Sequence, residues 1–259
     1  MTWQSTLQGY YDLLDAKVPS GIGGLRYPFD VDMADAIEAF KPPVVSFHFG
    51  LPSPELVARI KSWGSVILSS ATTLEEGVWL QNNGADMVIA QGIEAGGHRA
   101  MFLTDELSSQ MTTNDLVSEL RQHLTVPIIA AGGIGSSADV ERLMVMGCCG
   151  VQIGTAFLLC DEAKTSQVHR SAIQSSDSRT EVTNVFSGRP ARGIINKVMI
   201  EQGFISTNAP AFPYASIAMA PLRSKAESHA SGDYSPLWAG MNLDNCVVGR
   251  AKDILEKLS

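Results

Sequence analysis

What the chain lacks narrows what it can be. It has four cysteines in 259 residues: Cys148, Cys149, Cys160 and Cys246. None stands in CxxC spacing, so neither a zinc site nor a disulfide framework is indicated. Buried thiols in a reducing compartment, the cytoplasm, are the simpler reading. No run of about 18 apolar residues occurs, which argues against a membrane-spanning helix. The first residues, MTWQSTLQGYYDLLDAK, carry acids and no apolar centre, unlike a secretory signal. Basic residues are outnumbered: net charge is −8 and the pI about 5.1, which weighs against nucleic acid or an anionic membrane as partner. The GxGxxG dinucleotide fingerprint is missing, and no spacing of metal ligands is visible.

What is present is a rhythm. Apolar runs begin near residues 44, 66, 87, 127 and 151, mostly a little over 20 residues apart, with helical patterns between them. Ser53-Pro54, Thr73 to Glu76, and Ser136 or Ser137 read as helix starts, the second as a capping box; Gly64, Gly84 and Gly147 read as stops. Strand–helix alternation of this kind gives a parallel α/β sheet. An open doubly wound sheet accepts five strands, whereas a closed barrel needs eight. Upstream, Leu7, Tyr10, Tyr11 and Leu14 form one face of a short helix, residues 19–28 a glycine-bearing loop, and Asp30 caps a helix whose apolar face is Met33, Ile37 and Phe40. Arg99 to Met111 is a long polar connection of the kind used for lids and binding loops. After Phe157 the pattern changes: a helix over 164–174, a basic turn over 184–193, a helix over 194–200, a Pro/Ala/Ser-rich stretch over 204–236 that wraps the surface, and a last helix over 249–258.

The chemistry concentrates in NGADMVIAQGIEAGGHRA, residues 83–100. A buried strand runs into a turn with Gly92, Gly96 and Gly97, which can take positive φ and approach a ligand, and delivers one imidazole, His98. The end of a parallel strand is where α/β enzymes keep their chemistry. A second signal is AAGGIGSS after the fourth strand, where glycine amides and a helix N-terminus can meet an anion. The fifth strand ends in QIGT, residues 152–155. Two neighbouring strand ends offering Gly-Gly and Gly-Thr suggest a phosphorylated ligand such as FMN.

VIAQGIEAGGHRA, PIIAAGGIG, GVQIGTAF and FSGRPARGIINK, in this order, resemble the nitronate monooxygenases, formerly 2-nitropropane dioxygenases. The resemblance runs from about Pro42 to the C-terminus. It implies an FMN-binding (β/α)8 barrel of the TIM type with about five of its eight βα units present, a C-terminal helical and loop extension, and one partial flavin-binding domain over residues 1–259. It implies that Gln91 and Gly96 approach the flavin, that Gly132, Gly133, Gln152, Ile153, Gly154 and Thr155 hold its phosphate and ribityl end, and that His98 is the catalytic base. An imidazole titrating near pH 6.5 suits that task. The reaction implied is oxidation of a nitronate, or of a nitroalkane after loss of its α-proton, by O2 to a carbonyl compound and nitrite. The family's N-terminal third has no counterpart before Val44, so completion of the barrel by a second copy or another chain is expected. Ala100 and Met241 stand where the family has glycine and glutamine. Two alternatives stay open: a flavin-dependent enoyl-thioester reductase, which would consume NAD(P)H, and a flavin-free remnant.

The other candidates read more plainly. His48 follows a strand and faces the pocket mouth or, the favoured reading, serves as a core or supporting histidine, and His123, His169 and His229 lie at the surface. Arg189 and Arg192 anchor a phosphate or carboxylate or, the favoured reading, form a structural turn that pairs with acids such as Asp233. Glu94 orients the histidine loop, and Asp86 makes no acid/base pair with it.

Overall fold

The computed structural model describes residues 2–21 and 27–259, so half of the loop expected over 19–28 lies outside the described residues. In chain order the described residues form α1 (Trp3–Thr6), α2 (Gln8–Leu14), α3 (Val31–Glu38), β1 (Val44–Phe47), α4 (Pro54–Ser62), β2 (Val66–Ala71), α5 (Leu74–Asn82), β3 (Met87–Gln91) and β4 (Gly97–His98). There follow α6 (Thr113–His123), β5 (Ile128–Ala131), α7 (Ser137–Val145), β6 (Gly150–Gln152), α8 (Gln167–Gln174), β7 (Thr180–Thr183), β8 (Ala191–Ile194), α9 (Lys197–Gln202), α10 (Ala215–Ser228) and α11 (Ala251–Leu258). Two compact units result.

The first unit holds Tyr27–Ala95 and Arg99–Ile153. Its sheet has the order β1-β2-β3-β5-β6, every pair parallel, so neighbours in the sheet are successive βα repeats. This is an α/β fold with a parallel half-barrel sheet. The strands begin where the apolar runs begin because the central ones are buried on both faces: Val88, Ile128, Ala90 and Ala130 are fully buried, and Leu80, Leu116, Leu120 and Leu143 pack against them from the helices. Each of the valine, isoleucine and leucine side chains contributes about 1.5–3 kcal/mol, the alanines less. At the sheet edges burial falls away, and Val44 in β1 is 50% exposed.

The helix starts follow their signals with two departures. Ser136 forms the full capping box with Asp139. Thr73 accepts from the Glu76 amide, but the Glu76 carboxylate does not return to Thr73. Instead Oε2 takes the amide and hydroxyl of Thr72, and Oε1 takes the amides of Phe102 and Leu103. The connection after His98 is therefore docked from its start: Arg99, Ala100 and Met101 are buried. The second departure is α3. Asp30 caps it as expected, but Met33 and Phe40 are exposed and Ala34 is the buried residue, because a small side chain lets α3 lie close to α4.

The second unit holds Gly96–His98 and Gly154–Glu256 with α1 and α2. Its sheet is antiparallel, β4-β8-β7. Residues 204–236 do not simply wrap the surface: they contain the 14-residue helix α10, whose Ala215, Ala218, Met219, Leu222 and Ala226 are buried. Alanine is the best helix former and lets α2 approach closely, and the Tyr11 hydroxyl donates to the Ala218 carbonyl at 2.6 Å. The basic turn ends as strand β8, and the helix expected over 194–200 begins only at Lys197, after Asn196 caps it.

Glu76 is fully buried and holds four donors, so its loss leaves several of them unpaired. At about 1–3 kcal/mol for each unsatisfied buried group, Glu76→Ala is expected to destabilise the chain by roughly 3 kcal/mol or more, with Glu76→Gln milder. Urea unfolding monitored by circular dichroism measures this; an Ala variant within 1 kcal/mol of wild type would show the carboxylate to be dispensable.

Candidate active site

Two groups of residues carry the sequence signals, one in each unit. In the first, strand register aligns Gln91 with Ala131 and Ala131 with Gln152, a row along the C-terminal edge of β3, β5 and β6. Gln91 is buried, and its side-chain oxygen accepts the Ala100 amide at 2.9 Å while its carbonyl accepts from the Arg99 guanidinium at 2.8 Å. Gly132 and Gly133 follow, with φ of +120° and +69°. A Cβ on Gly132 would meet Thr113 Oγ1 at 2.8 Å, and one on Gly133 would press on Glu94 at 3.2 Å. Within its unit Glu94 accepts the Thr113 amide, and the single Thr113 hydroxyl proton is shared between the Glu94 carboxylate at 2.8 Å and the Gly132 carbonyl at 3.0 Å. Thus Glu94 shapes the Gly132–Gly133 turn.

The N-terminus of α7 is not the open anion site that AAGGIGSS suggests. Asp139 Oδ2 accepts the Gly135 amide, the Ser136 amide and the Ser136 hydroxyl. Burial would raise that carboxyl, but the hydrogen bonds from Arg142, Ser136 and Gly135 hold it below its usual range, so it stays charged and occupies the helix end itself. Gln152 is exposed and Ile153 half-buried at the end of β6.

In the second unit, His98 does not sit on a loop. Gly97 and His98 form β4, paired antiparallel with Arg192 and Ala191 of β8. Its Nε2 lies 2.8 Å from Ser187 Oγ, and that hydroxyl also meets the carbonyl and amide of Arg189. The ring is flanked by Phe212 and Trp238, each 5.5 Å away between centroids. These residues line a cavity of about 190 Å3. A half-buried imidazole held at one nitrogen by a hydroxyl and walled by aromatic rings can exchange a proton with a small ligand. Sequence reasoning passed over Ser187, Phe212 and Trp238; the FSGRP motif was visible, but the antiparallel pairing that brings it to His98 was not.

The glycines divide by cause. Of the three expected to take positive φ before His98, only Gly97 does, at +76°. Gly92 and Gly96 are demanded by packing: a Cβ on Gly92 would strike Thr113, and one on Gly96 would lie 2.5 Å from backbone atoms of Ala239 and Gly240. Gly154 is the opposite case, exposed, with nothing within 4 Å of an added Cβ. Thr155 next to it accepts the Gly240 amide at 2.9 Å.

The remaining candidates are structural. Arg192 is buried and donates to the Thr180 carbonyl. Asp86 accepts the Ile67 amide and pairs with Lys61. His48 is exposed, its ring against Phe49, so it is not a core residue. His169 is not a surface residue: its Nε2 is buried, and burial followed by the nearby Arg223 charge lowers its pKa, so it is neutral.

The family model for nitronate monooxygenase matches residues 17–259. A probable nitronate monooxygenase of Bacillus subtilis is 37% identical over 210 residues, covering 81% of this chain and 60% of that protein. The nitronate monooxygenase of Pseudomonas aeruginosa is 36% identical over 242 residues, covering 92% of this chain and 69% of that protein. Among solved structures, nitroalkane oxidase from Streptomyces ansochromogenes superposes with a TM-score of 0.91 at 32% identity, over 99% of this chain and 74% of that one. FabK from Thermotoga maritima gives a TM-score of 0.68 at 26% identity, over 90% and 72%. The chain spans about 60% of the length of the first curated relatives it matches.

The two glycine classes predict opposite responses. Gly96→Ala forces backbone apart and is expected to cost about 1–3 kcal/mol. Gly154→Ala, at an ordinary negative φ in open space, is expected to stay within about 0.5 kcal/mol. Thermal unfolding of both variants reads the difference; equal losses would contradict the assignment.

Proposed function

The chain belongs to the nitronate monooxygenase family, and on that footing we propose that it oxidises alkyl nitronates, and nitroalkanes once deprotonated, with O2 to carbonyl compounds and nitrite, using FMN. The observation that carries this is the setting of His98: an imidazole fixed by Ser187 in a cavity walled by Phe212 and Trp238. The reading takes residues 1–259 as one flavin domain, in keeping with a single family match over 17–259. It takes the five parallel strands as five of the eight βα units of a (β/α)8 barrel and the later residues as a helical and loop extension. Completion of the barrel by a second copy or another chain belongs to the same reading. The free thiols, Cys148 and Cys160 buried, suit the cytoplasm.

FMN fits the residues at the level of backbone. Gly154 offers an unobstructed main chain, and the Gly132–Gly133 turn is held in its positive-φ form by Thr113 and Glu94. The α7 cap does not contribute, since Asp139 fills it. In this proposal Gln91, Gly96, Gly132, Gly133, Gln152, Ile153, Gly154 and Thr155 are the cofactor-binding residues. Bound FMN would supply the electron acceptor and the route to O2. The chain's own share is positional and acid–base. His98 removes the α-proton of a neutral nitroalkane; the electron pair of the broken C–H bond passes into the nitro group and leaves a nitronate. Ser187 holds the ring for that transfer, and the aromatic walls exclude competing water. A substrate that arrives as the nitronate needs no such step.

The test follows from that asymmetry. Purified protein is expected to keep flavin absorption through gel filtration after FMN is supplied, and to release nitrite from an alkyl nitronate without NAD(P)H. His98→Asn should lower kcat/KM for the neutral nitroalkane by about 10²–10⁴-fold and that for the preformed nitronate far less. A colourless protein that takes up no FMN, or turnover that consumes NAD(P)H, would overturn the proposal.

A further inference from the structure

The cavity at His98 continues beyond the reacting group. Within the second unit it shares Phe186, Ser216, Ile217, Arg223 and Pro236 with a larger cavity of about 510 Å3. The larger cavity runs on past Met219, Ala220 and Tyr234. Ser216, Ile217, Ala220 and Arg223 are spaced as one face of α10, so a single helix forms a wall common to both.

Volume decides what reaches the second cavity. At about 30 Å3 for each water-sized group, 190 Å3 accommodates roughly six non-hydrogen atoms. A nitro group uses three, leaving space for a chain of about three carbons. A longer chain that continues along α10 runs past Ile217 into the larger cavity. Charge decides what kind of chain it is. Among the described residues that line either cavity, Arg223 is the one with a permanent charge, and it is already paired with Glu227 at 2.8 Å. Burial would raise the Glu227 carboxyl, but hydrogen bonds from Ser235 and Arg223 keep it below its usual range, so the pair persists as ions at neutral pH. The rest of the shared wall is phenyl, isoleucyl and prolyl surface together with Ser216, whose hydroxyl is committed to the Pro213 carbonyl at 2.6 Å.

Resting on the nitronate reading above, we propose that the substrate carries an elongated, uncharged apolar arm, which leaves the His98 cavity past Ile217 and lies along α10 in the larger cavity. Ile217 and Ala220 are then specificity-determining residues. Small nitronates fill only the first cavity and gain nothing from the second.

The experiment measures dissociation constants of neutral 1-nitroalkanes, from nitropropane to nitroheptane, by calorimetry on the full chain supplied with FMN, with nitrite release assayed in parallel. The constant is expected to fall about two- to fourfold for each methylene beyond the third carbon. Ala220→Trp, at a solvent-facing position, should flatten that fall from the far cavity, and Ile217→Trp should do so at the shared wall; the unmodified series decides by itself if either variant does not fold. A flat series, or a fall that survives both tryptophans, overturns the proposal even where nitrite is released. Tighter binding of a carboxylate-terminated nitroalkane of equal length overturns the uncharged arm. A falling series without nitrite supports the apolar arm-binding cavity while sinking the oxidase reading.

Discussion

A chain of hydrogen bonds that joins two buried charges without letting them touch underlies the first unit. Arg99 and Glu76 are both almost wholly removed from solvent. Arg99 donates to the Gln91 carbonyl and to Gln110 Oε1; Gln110 donates to Thr72; Thr72 donates twice to Glu76; and Glu76 takes the amides of Phe102 and Leu103. Burying either ion alone costs several kcal/mol, and neutral relays repay it only when every link is made. The network therefore works as a unit. It fastens the start of α5, the end of β3 and the segment just past His98 into one arrangement, and Gln91 closes it by accepting the Ala100 amide.

That constraint changes the meaning of the long connection over 99–111. Length and polarity alone suggest a lid, yet a segment whose first residues are buried and hydrogen-bonded to an internal carboxylate is part of the framework. Ala100 is fully buried there with its amide committed to Gln91. Within the second unit, the backbone of His98 is set by its pairing with β8.

The sequence made local structure legible and long-range structure opaque. The five parallel strands, the caps at Asp30, Thr73 and Ser136, and the stops at Gly64, Gly84 and Gly147 were readable because each depends on residues within one turn or one strand. Glu76 was misread as a capping-box partner because its sequence position permits that role; only the tertiary arrival of Phe102 shows the stronger demand. The helix α10 was hidden by its composition. Proline and serine read as loop, but Pro221 sits in a helix whose alanines answer to Tyr11 some 207 residues earlier. For the candidate site, His98 and the glycine motifs were legible as a set, while Ser187, Phe212 and Trp238 were not, since nothing in local spacing tells that β4 and β8 pair.

The antiparallel pairing has a chemical consequence. A base on a flexible loop must be ordered each time it acts, at a cost in conformational entropy. His98 instead has its backbone set by β8, its ring nitrogen met by Ser187 and its faces bounded by Phe212 and Trp238. Ser187 is itself steadied by the Arg189 main chain, so the hydroxyl that orients the imidazole does not have to be ordered by substrate. The imidazole is thus preorganised, and the adaptable part of the encounter is the ligand. A rigid imidazole beside a cavity with apolar walls favours discrimination by the shape of what is bound over discrimination by movement of the protein.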